Sequence, residues 1–528
     1  MNALKQFAFN PVVSIMSLLV LLVVILRLPS LTEPYWYGDE GIYLTIGQAM
    51  NHGAVLYADI VDHKTPLIYY FARVGTQLNF RLLMMVWMVL SSLSLFGIFN
   101  RLTKRLWLSA SFTAGFVVVT SLPYLEGNIA NGELFVMGFI LLALWLFLRT
   151  RAGYSLLTSS PKKLNTLIIT RQEVGWWLIA GMSLGAAILT KVPALFDVAA
   201  VFYLVWLAAW DQQFTSGWRL NKKMWLRTVK IWLVLGAGVL APIVVSVLCF
   251  WLKGAGDAYL NFGLLYNFHY VQTWTLAHLP SWGQTLFSFP VKVVLLTAVL
   301  IKMTLINGWL SRQLRFATGW FYLALFASIL SNRPYPHYML QAIPPLVLVL
   351  GLAWHELTGQ KKLTQNFRRF SIVFTAGSSL LVLWLIWKGL AMTPYPITSY
   401  YQRFFRTATG QITTTEYRNS FDSLIADNAE AAGLLRTSSD PKLFIWGTDP
   451  MLYALSGKQP VGRFTVAFHI EDLGLQEETI QLLQANPPEY IVVMKNQQSQ
   501  LPGLSSLLQR HYRRSRTFDH FVVWHIKG

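Results

Sequence analysis

Cysteine is almost missing from this chain: Cys249 is the only one in 528 residues. It lies inside an apolar run, so one chain can build neither an internal disulfide framework nor a cysteine zinc site. The sequence also lacks a Walker A loop, a glycine-rich dinucleotide fingerprint after a strand, an HExxH pair and a Gly-x-Ser-x-Gly elbow at a strand-to-helix turn. Soluble-nucleotide chemistry therefore has no visible site. Charge is scarce, at 13% of residues, and acidic charge is scarcest, with 24 Asp and Glu against 43 Lys and Arg. A formal charge of +19 could point to nucleic acid. Here, however, the basic residues stand in short clusters between apolar spans, which is the pattern of membrane topology signals, and no nucleic-acid partner is expected.

What is present is apolar length. With 54% hydrophobic residues and 21 Trp, the chain reads as a polytopic α-helical membrane protein, not as a soluble domain with one core. Runs long enough to cross about 30 Å of hydrocarbon fall near residues 12–29, 82–99, 106–122, 134–148, 174–190, 193–210, 229–252, 288–307, 316–331, 338–357 and 371–391, which predicts about 11 transmembrane helices. The first lacks a small-residue cleavage site and reads as a retained helix. Alternate connections between the spans hold nineteen Lys and Arg, Lys5, Arg219, Lys361 and Lys362 among them, against only a few in the other connections between spans. The rich set is expected to face the cytoplasm. Residues 30–81, the loop around Glu126 to Glu133, the region 253–287 and the tail are then expected on the outer face of an inner or plasma membrane.

From about Thr393 the composition turns mixed. LFIWG at 443–447, a helical stretch at 474–486, EYIVVMK at 489–495 and HFVVWHI at 520–526 predict a small extracytoplasmic α/β domain. The expected division is therefore residues 1–391, membrane-embedded, and residues 392–528, outside it, with Pro394 and Pro396 marking the linker.

The candidate site is the first outer loop. Asp39, Glu40, Asp59, Asp62, His63 and Lys64 fall within 26 residues, and ionisable groups at a membrane boundary are functional candidates by default. Gly38 and Gly41 bracket the acidic pair and permit a tight turn, while residues 42–52 predict a short interfacial helix. An acidic helix cap is the bland alternative for Asp39-Glu40. The second outer loop, LEGNIANGELF, adds Glu126 and Glu133. Two loops with carboxylates could supply a base and oxygen ligands for a divalent metal, with Asp62 and Glu133 as the ligand candidates; Glu133 equally fits a helix cap. Lys191, and Arg333, His337 and Tyr338 in NRPYPHYMLQ, could join Lys64 on a phosphate. The same residues also fit a snorkelling lysine and an interfacial aromatic belt.

YGDEGIYLTIGQAM followed by DHKTPLIYYF, then NGELF, TKVPALFD and PHYMLQAIPPL, resembles the GT-C glycosyltransferases that use polyprenyl-phosphate sugars. The bacterial relatives of protein O-mannosyltransferases and of the lipid A aminoarabinose transferase are the most similar. The resemblance covers residues 1 to about 391, and IWGTDPMLYALSGKQPVGRF extends it to the tail. It implies that Asp39 stands in the place of the family's catalytic aspartate, Lys64 in that of a lysine facing the lipid phosphate, and Glu133 in that of an acidic residue near a metal. The implied reaction is inverting transfer of a sugar from a polyprenyl-phosphate donor to a glycan, lipid or protein acceptor. A transporter or flippase of lipid-linked sugars is the alternative. Against it, charge is scarce inside the spans.

Overall fold

The computed structural model describes residues 10–34, 36–215, 221–272, 274–307, 309–359 and 366–527; Lys5, Tyr35, Arg219, Lys361 and Lys362 lie outside them. Helices fill the first three quarters of the chain: α1 (Pro11–Thr32), α2 (Gly38–Asn51), α3 (Leu67–Ala72), α4 (Gln77–Thr103), α5 (Leu106–Ser121), α6 (Gly132–Arg149), α7 (Arg171–Thr190), α8 (Leu195–Thr215), α9 (Lys222–Leu252), α10 (Phe289–Leu305), α11 (Arg312–Ser328), α12 (Ile343–Gly359) and α13 (Asn366–Gly389). All eleven predicted spans coincide with a helix. Eight are long and apolar enough to cross a membrane, while α5, α10 and α11 have 16, 17 and 17 residues.

The chain folds as two compact units. The first comprises Met1–Leu28, Met84–Ser246 and Phe268–Pro396. Its helices start where the sequence supplies caps: Thr170 and Glu173 form a capping box that opens α7. They pack closely where the sequence supplies small residues. Ser183 of α7 donates to the Phe139 carbonyl of α6 at 2.8 Å, and Gly181 faces Gly238 of α9 so closely that a Cβ on it would fall 2.4 Å from the Leu235 carbonyl oxygen. Nearly all of α11 is buried, with Trp320 Nε1 donating to Asp197 Oδ1 at 2.7 Å. A helix apolar on most sides belongs at the centre of a bundle, not at its rim.

The second unit comprises Pro29–Leu83, Val247–Asn267 and Ile397–Gly528. Its tail carries α14 (Leu424–Arg436), α15 (Pro450–Ser456), α16 (Ala467–Asp472), α17 (Gln476–Ala485) and α18 (Leu504–His511). These surround a five-stranded sheet of β1 (Lys442–Trp446), β2 (Gln459–Pro460), β3 (Tyr490–Met494), β4 (Tyr512–Thr517) and β5 (Phe521–Ile526), ordered β2-β1-β3-β5-β4. β1 runs parallel to β2 and β3, and β5 antiparallel to β3 and β4. Alternation gives both faces a core. Leu443 and Ile445 join Val492, Val523 and α14 on one side, while Phe444, Trp446 and Ile491 join α18 on the other. Burying such side chains contributes about 1.5–3 kcal/mol each.

The helix predicted at 42–52 is present, but its burial differs from the expectation of an interfacial helix. Nine residues of α2 are buried, and α15 of the tail covers part of it, with Thr45 Oγ1 donating to the Pro450 carbonyl at 2.9 Å.

Candidate functional site

Within the second unit, the first turn of α2 separates two adjacent carboxylates. Glu40 points inward and is 1% exposed. Arg81 grips it in a fork, Nε to Oε1 at 2.8 Å and Nη2 to Oε2 at 2.6 Å, and Gln77 donates to Oε2 at 3.0 Å. Arg81 also donates to the Glu33 carbonyl at 3.1 Å, and Tyr400 donates to Glu33 Oε2 at 2.9 Å. Glu40 was expected beside Asp39 in the chemistry; instead it sits in a buried polar network that ties residues 30–40 to Arg81 and Tyr400.

Asp39 points the other way, with its side chain 29% exposed. Tyr43, one turn on, donates its hydroxyl to Asp39 Oδ2 at 3.1 Å, and Lys64 Nζ lies 3.4 Å from the same oxygen. Lys64 also stands 5.0 Å over the Tyr43 ring and 3.7 Å from Asp62 Oδ2. The loop that delivers it is strained. Tyr57 adopts φ 71°, a left-handed value unusual for an aromatic residue. It is held there by stacking on Tyr259 and by donating its hydroxyl to the Lys64 carbonyl at 2.7 Å. Strain of this kind persists only where surrounding contacts over-determine it.

Behind Lys64 lies a cluster only partly visible in the sequence. Asp62, His63 and His469 are all buried. Three pairs of donor atoms lie close together: Asp62 Oδ1 to His63 Nδ1 at 3.1 Å, His63 Nδ1 to His469 Nε2 at 3.2 Å, and Asp62 Oδ1 to His469 Nε2 at 3.4 Å. A tetrahedral zinc with ligands at about 2.0–2.1 Å separates neighbouring donor atoms by roughly 3.3 Å, so the spacing fits a zinc-like divalent ion. The protonation states fit too. Burial opposes ionisation of Asp62, but Lys64 and then His63 outweigh it and hold the carboxyl well below its usual range. Burial pushes His469 down to about 3, so its ring is neutral and can ligate. Asp62, expected as a metal ligand along with Glu133, clusters with two histidines of its own unit. His469 lies in AFHIED, more than four hundred residues away, and no local pattern marks it.

In the first unit, Glu133 opens α6 and forms a buried ion pair with Lys191, whose ammonium lies 4.1 Å over the Tyr338 ring. Glu133, expected as a metal ligand, is thus paired with a lysine. His337 pairs with Glu126, which adopts φ 55°. Arg333 lies 4.1 Å over the Tyr270 ring and 5.2 Å over the Trp274 ring. Glu133, Lys191 and Tyr338 come together, as do Glu126 and His337, and Arg333 gathers aromatic rings.

Residues 64–266 match the dolichyl-phosphate-mannose-protein mannosyltransferase family. Among curated proteins, none matches the sequence. Among solved structures, ArnT from Cupriavidus metallidurans bound to undecaprenyl phosphate is similar over 96% of this chain and 97% of its own, with a TM-score of 0.52 and 17% identity. Its apo state gives 0.51 and 16% over the same shares, 96% and 97%. AglB, the oligosaccharyltransferase of Archaeoglobus fulgidus, covers 92% of this chain and 70% of its own at a TM-score of 0.40 and 14% identity. The chain has the fold of ArnT, and residues 64–266 are similar to a mannosyltransferase family.

Proposed function

We propose that this multi-pass membrane protein of GT-C type transfers a sugar from a polyprenyl-phosphate donor to an acceptor hydroxyl of a glycan, lipid or protein at the outer face of the membrane. The observation that carries this reading is the pairing of Asp39 with Lys64 across 3.4 Å at a partly exposed position. A hydroxyl is a weak nucleophile until a base takes its proton. Asp39, with Tyr43 orienting it, accepts that proton as the acceptor oxygen attacks the anomeric carbon. The bond to the lipid phosphate breaks, and the negative charge that develops on the leaving phosphate is met by Lys64. A single displacement inverts the anomeric centre. Glu40, neutralised by Arg81, fixes the turn that aims Asp39 and takes no proton.

Asp62, His63 and His469 would hold a divalent cation. When bound, it would supply Lewis-acid charge beside the lysine. Glu133, matched by Lys191, is assigned no metal. Lys191 and Arg333 keep their candidacy for phosphate through their charge.

The test is transfer from a short-chain polyprenyl-phosphate sugar by the purified full-length protein, with donor binding measured alongside. Asp39→Asn should keep donor binding and lower turnover by roughly 100-fold to 10,000-fold, the usual range for a lost general base. Undiminished transfer by the folded variant would remove Asp39 from the chemistry. Wild-type protein that moves the lipid across vesicles without transferring sugar would replace the reading with a flippase.

A further inference from the structure

The first unit holds a second polar centre, built around Asp211 near the end of α8. Two arginines share one of its oxygens: Arg312 Nε lies 2.8 Å and Arg315 Nη2 2.6 Å from Asp211 Oδ2. Both guanidiniums are largely buried, and their remaining bonds go to neutral carbonyls, Arg312 to Leu156 at 2.7 Å and to Ser159 at 3.0 Å, Arg315 to Met303 at 3.3 Å. Glu356, nearby through Ser311, is already matched by Arg368. Among the described residues the cluster therefore carries one positive charge that no acid balances, in a buried setting, which is costly unless an anion completes it.

The space for that anion exists. A cavity of about 620 Å³ opens beside Arg312, edged by Thr158, Ser159, Ser160, Asn307 and Gln313. Adjoining it in sequence along the same helices is an apolar groove of about 460 Å³, walled by Tyr203, Trp206, Trp210, Trp232 and Leu305. Trp210 lines the groove and Asp211 the cavity; Leu305 lines the groove and Asn307 the cavity. The groove offers almost no polar partner, since the Tyr203 hydroxyl is already engaged with the Leu300 carbonyl at 3.1 Å and Thr304 at 3.2 Å. A charged, hydroxyl-rich chamber continued by an aromatic trough on membrane-length helices matches one kind of molecule, an amphiphile with an anionic head and a hydrocarbon chain. Arginine's planar fork suits phosphate oxygens, and aromatic rings suit a chain at the edge of the hydrocarbon.

We propose that this cavity and groove form a structural binding site for an anionic phospholipid, its phosphate beside Arg312 and one acyl chain along Trp206 and Trp232. The site is independent of the transfer reaction assigned to Asp39 and Lys64. Bound lipid would neutralise the arginine pair and lock the ends of α8, α10 and α11 together.

The experiment uses the full-length protein in nanodiscs of mixed phosphatidylglycerol and phosphatidylcholine, with retained lipid counted by native mass spectrometry after transfer to detergent. Wild-type protein should retain phosphatidylglycerol in preference to phosphatidylcholine. Ser160→Glu and Gln313→Glu add negative charge to the cavity without touching the arginines; each should lower that retention about tenfold, equivalent to about 1.4 kcal/mol. Trp206→Ala should lower it as well, while millimolar inorganic phosphate leaves it unchanged. Equal retention of the two lipids by wild type would overturn the site. So would displacement by inorganic phosphate with Trp206→Ala behaving as wild type, since that pattern marks a free-anion pocket.

Discussion

Two carboxylates one residue apart illustrate how little the covalent sequence says about a side chain's task. Asp39 and Glu40 both read as catalytic candidates because both stand in an acidic pair at a membrane boundary. What separates them is Arg81, 41 positions beyond Glu40 and placed against it only by tertiary folding. The prediction follows from burial. Breaking a buried, hydrogen-bonded ion pair by removing one partner typically costs about 3–5 kcal/mol, so Arg81→Ala and Glu40→Ala should each lower the thermal midpoint markedly. Glu40→Gln, which keeps the shape and one acceptor, should lower it less, and the folded fraction of Glu40→Gln should transfer sugar at close to the wild-type rate. A Glu40→Gln protein with the wild-type midpoint and a hundredfold loss of turnover would give Glu40 the chemical role denied to it above. His63 shows the same limit from the other side: it stood in view in DHKTP, but its partner His469 comes from a different segment and only the folded chain pairs them.

At the scale of elements, legibility followed periodicity. β1, β3 and β5 were readable because alternating apolar residues face two cores, and α17 because its apolar positions repeat at helical spacing. β4 was not. Its sequence, YRRSRT, places five exposed residues on an edge strand with a bulge between Arg514 and Arg516. Charge on an edge strand protects against further pairing and at the same time hides the strand from a hydrophobic pattern. The close approach in the first loop was half legible. Gly47 of α2 faces the backbone of Ala72, where an added Cβ would fall 2.6 Å from the carbonyl oxygen. Backbone cannot yield as a side chain does, so Gly47→Ala should cost about 1–3 kcal/mol, read as a lower unfolding midpoint; an unchanged midpoint would mean that α2 and α3 can separate freely. A third element, the turn into α15, gives the tail a pH dependence. Burial pushes Asp449 up to about 7, only partly offset by the hydrogen bond from Asn428 at 3.1 Å. Between the unfolded carboxyl value of about 3.9 and 7, the folded form keeps a proton that the unfolded chain has released. The stability this contributes is fully present below the unfolded value and is lost as pH rises through 7. Asp449→Asn removes the titration while keeping the bond from Asn428. Its gain in midpoint over wild type should therefore be larger at pH 8 than at pH 5, and an equal gain at both would dismiss the assignment.

For the whole molecule, the helix count came from apolar length, while the grouping of helices into units did not come from sequence at all. Three predicted spans, α5, α10 and α11, have 16, 17 and 17 residues, whereas α12, also of 17, is extended to 24 by the helical turn that begins at Pro336. Nearly all of α11 is wrapped by other helices, and it begins with Arg312 and Arg315, both held by Asp211 Oδ2. α10 starts at Phe289-Pro290, where proline fixes the first turn, and Lys292 donates to the Ile329 carbonyl at 2.8 Å. A helix packed inside a bundle, as α11 is, can be shorter than the hydrocarbon is thick, because its ends meet protein rather than lipid. If α5, α10 and α11 cross, the chain crosses eleven times and its two ends lie on opposite sides. If one of them does not, the alternation of lysine and arginine between connections would reverse beyond it, yet the bias keeps its sign to the end of the last span. A reporter fused after Gly359 should therefore report the cytoplasm, and one fused at the C-terminus should report the outer side, placing Asp39, Lys64 and the tail on the face where a lipid-linked sugar would be consumed. Both reporters on one side would break the eleven-span topology, and with it the outer-face assignment of the tail.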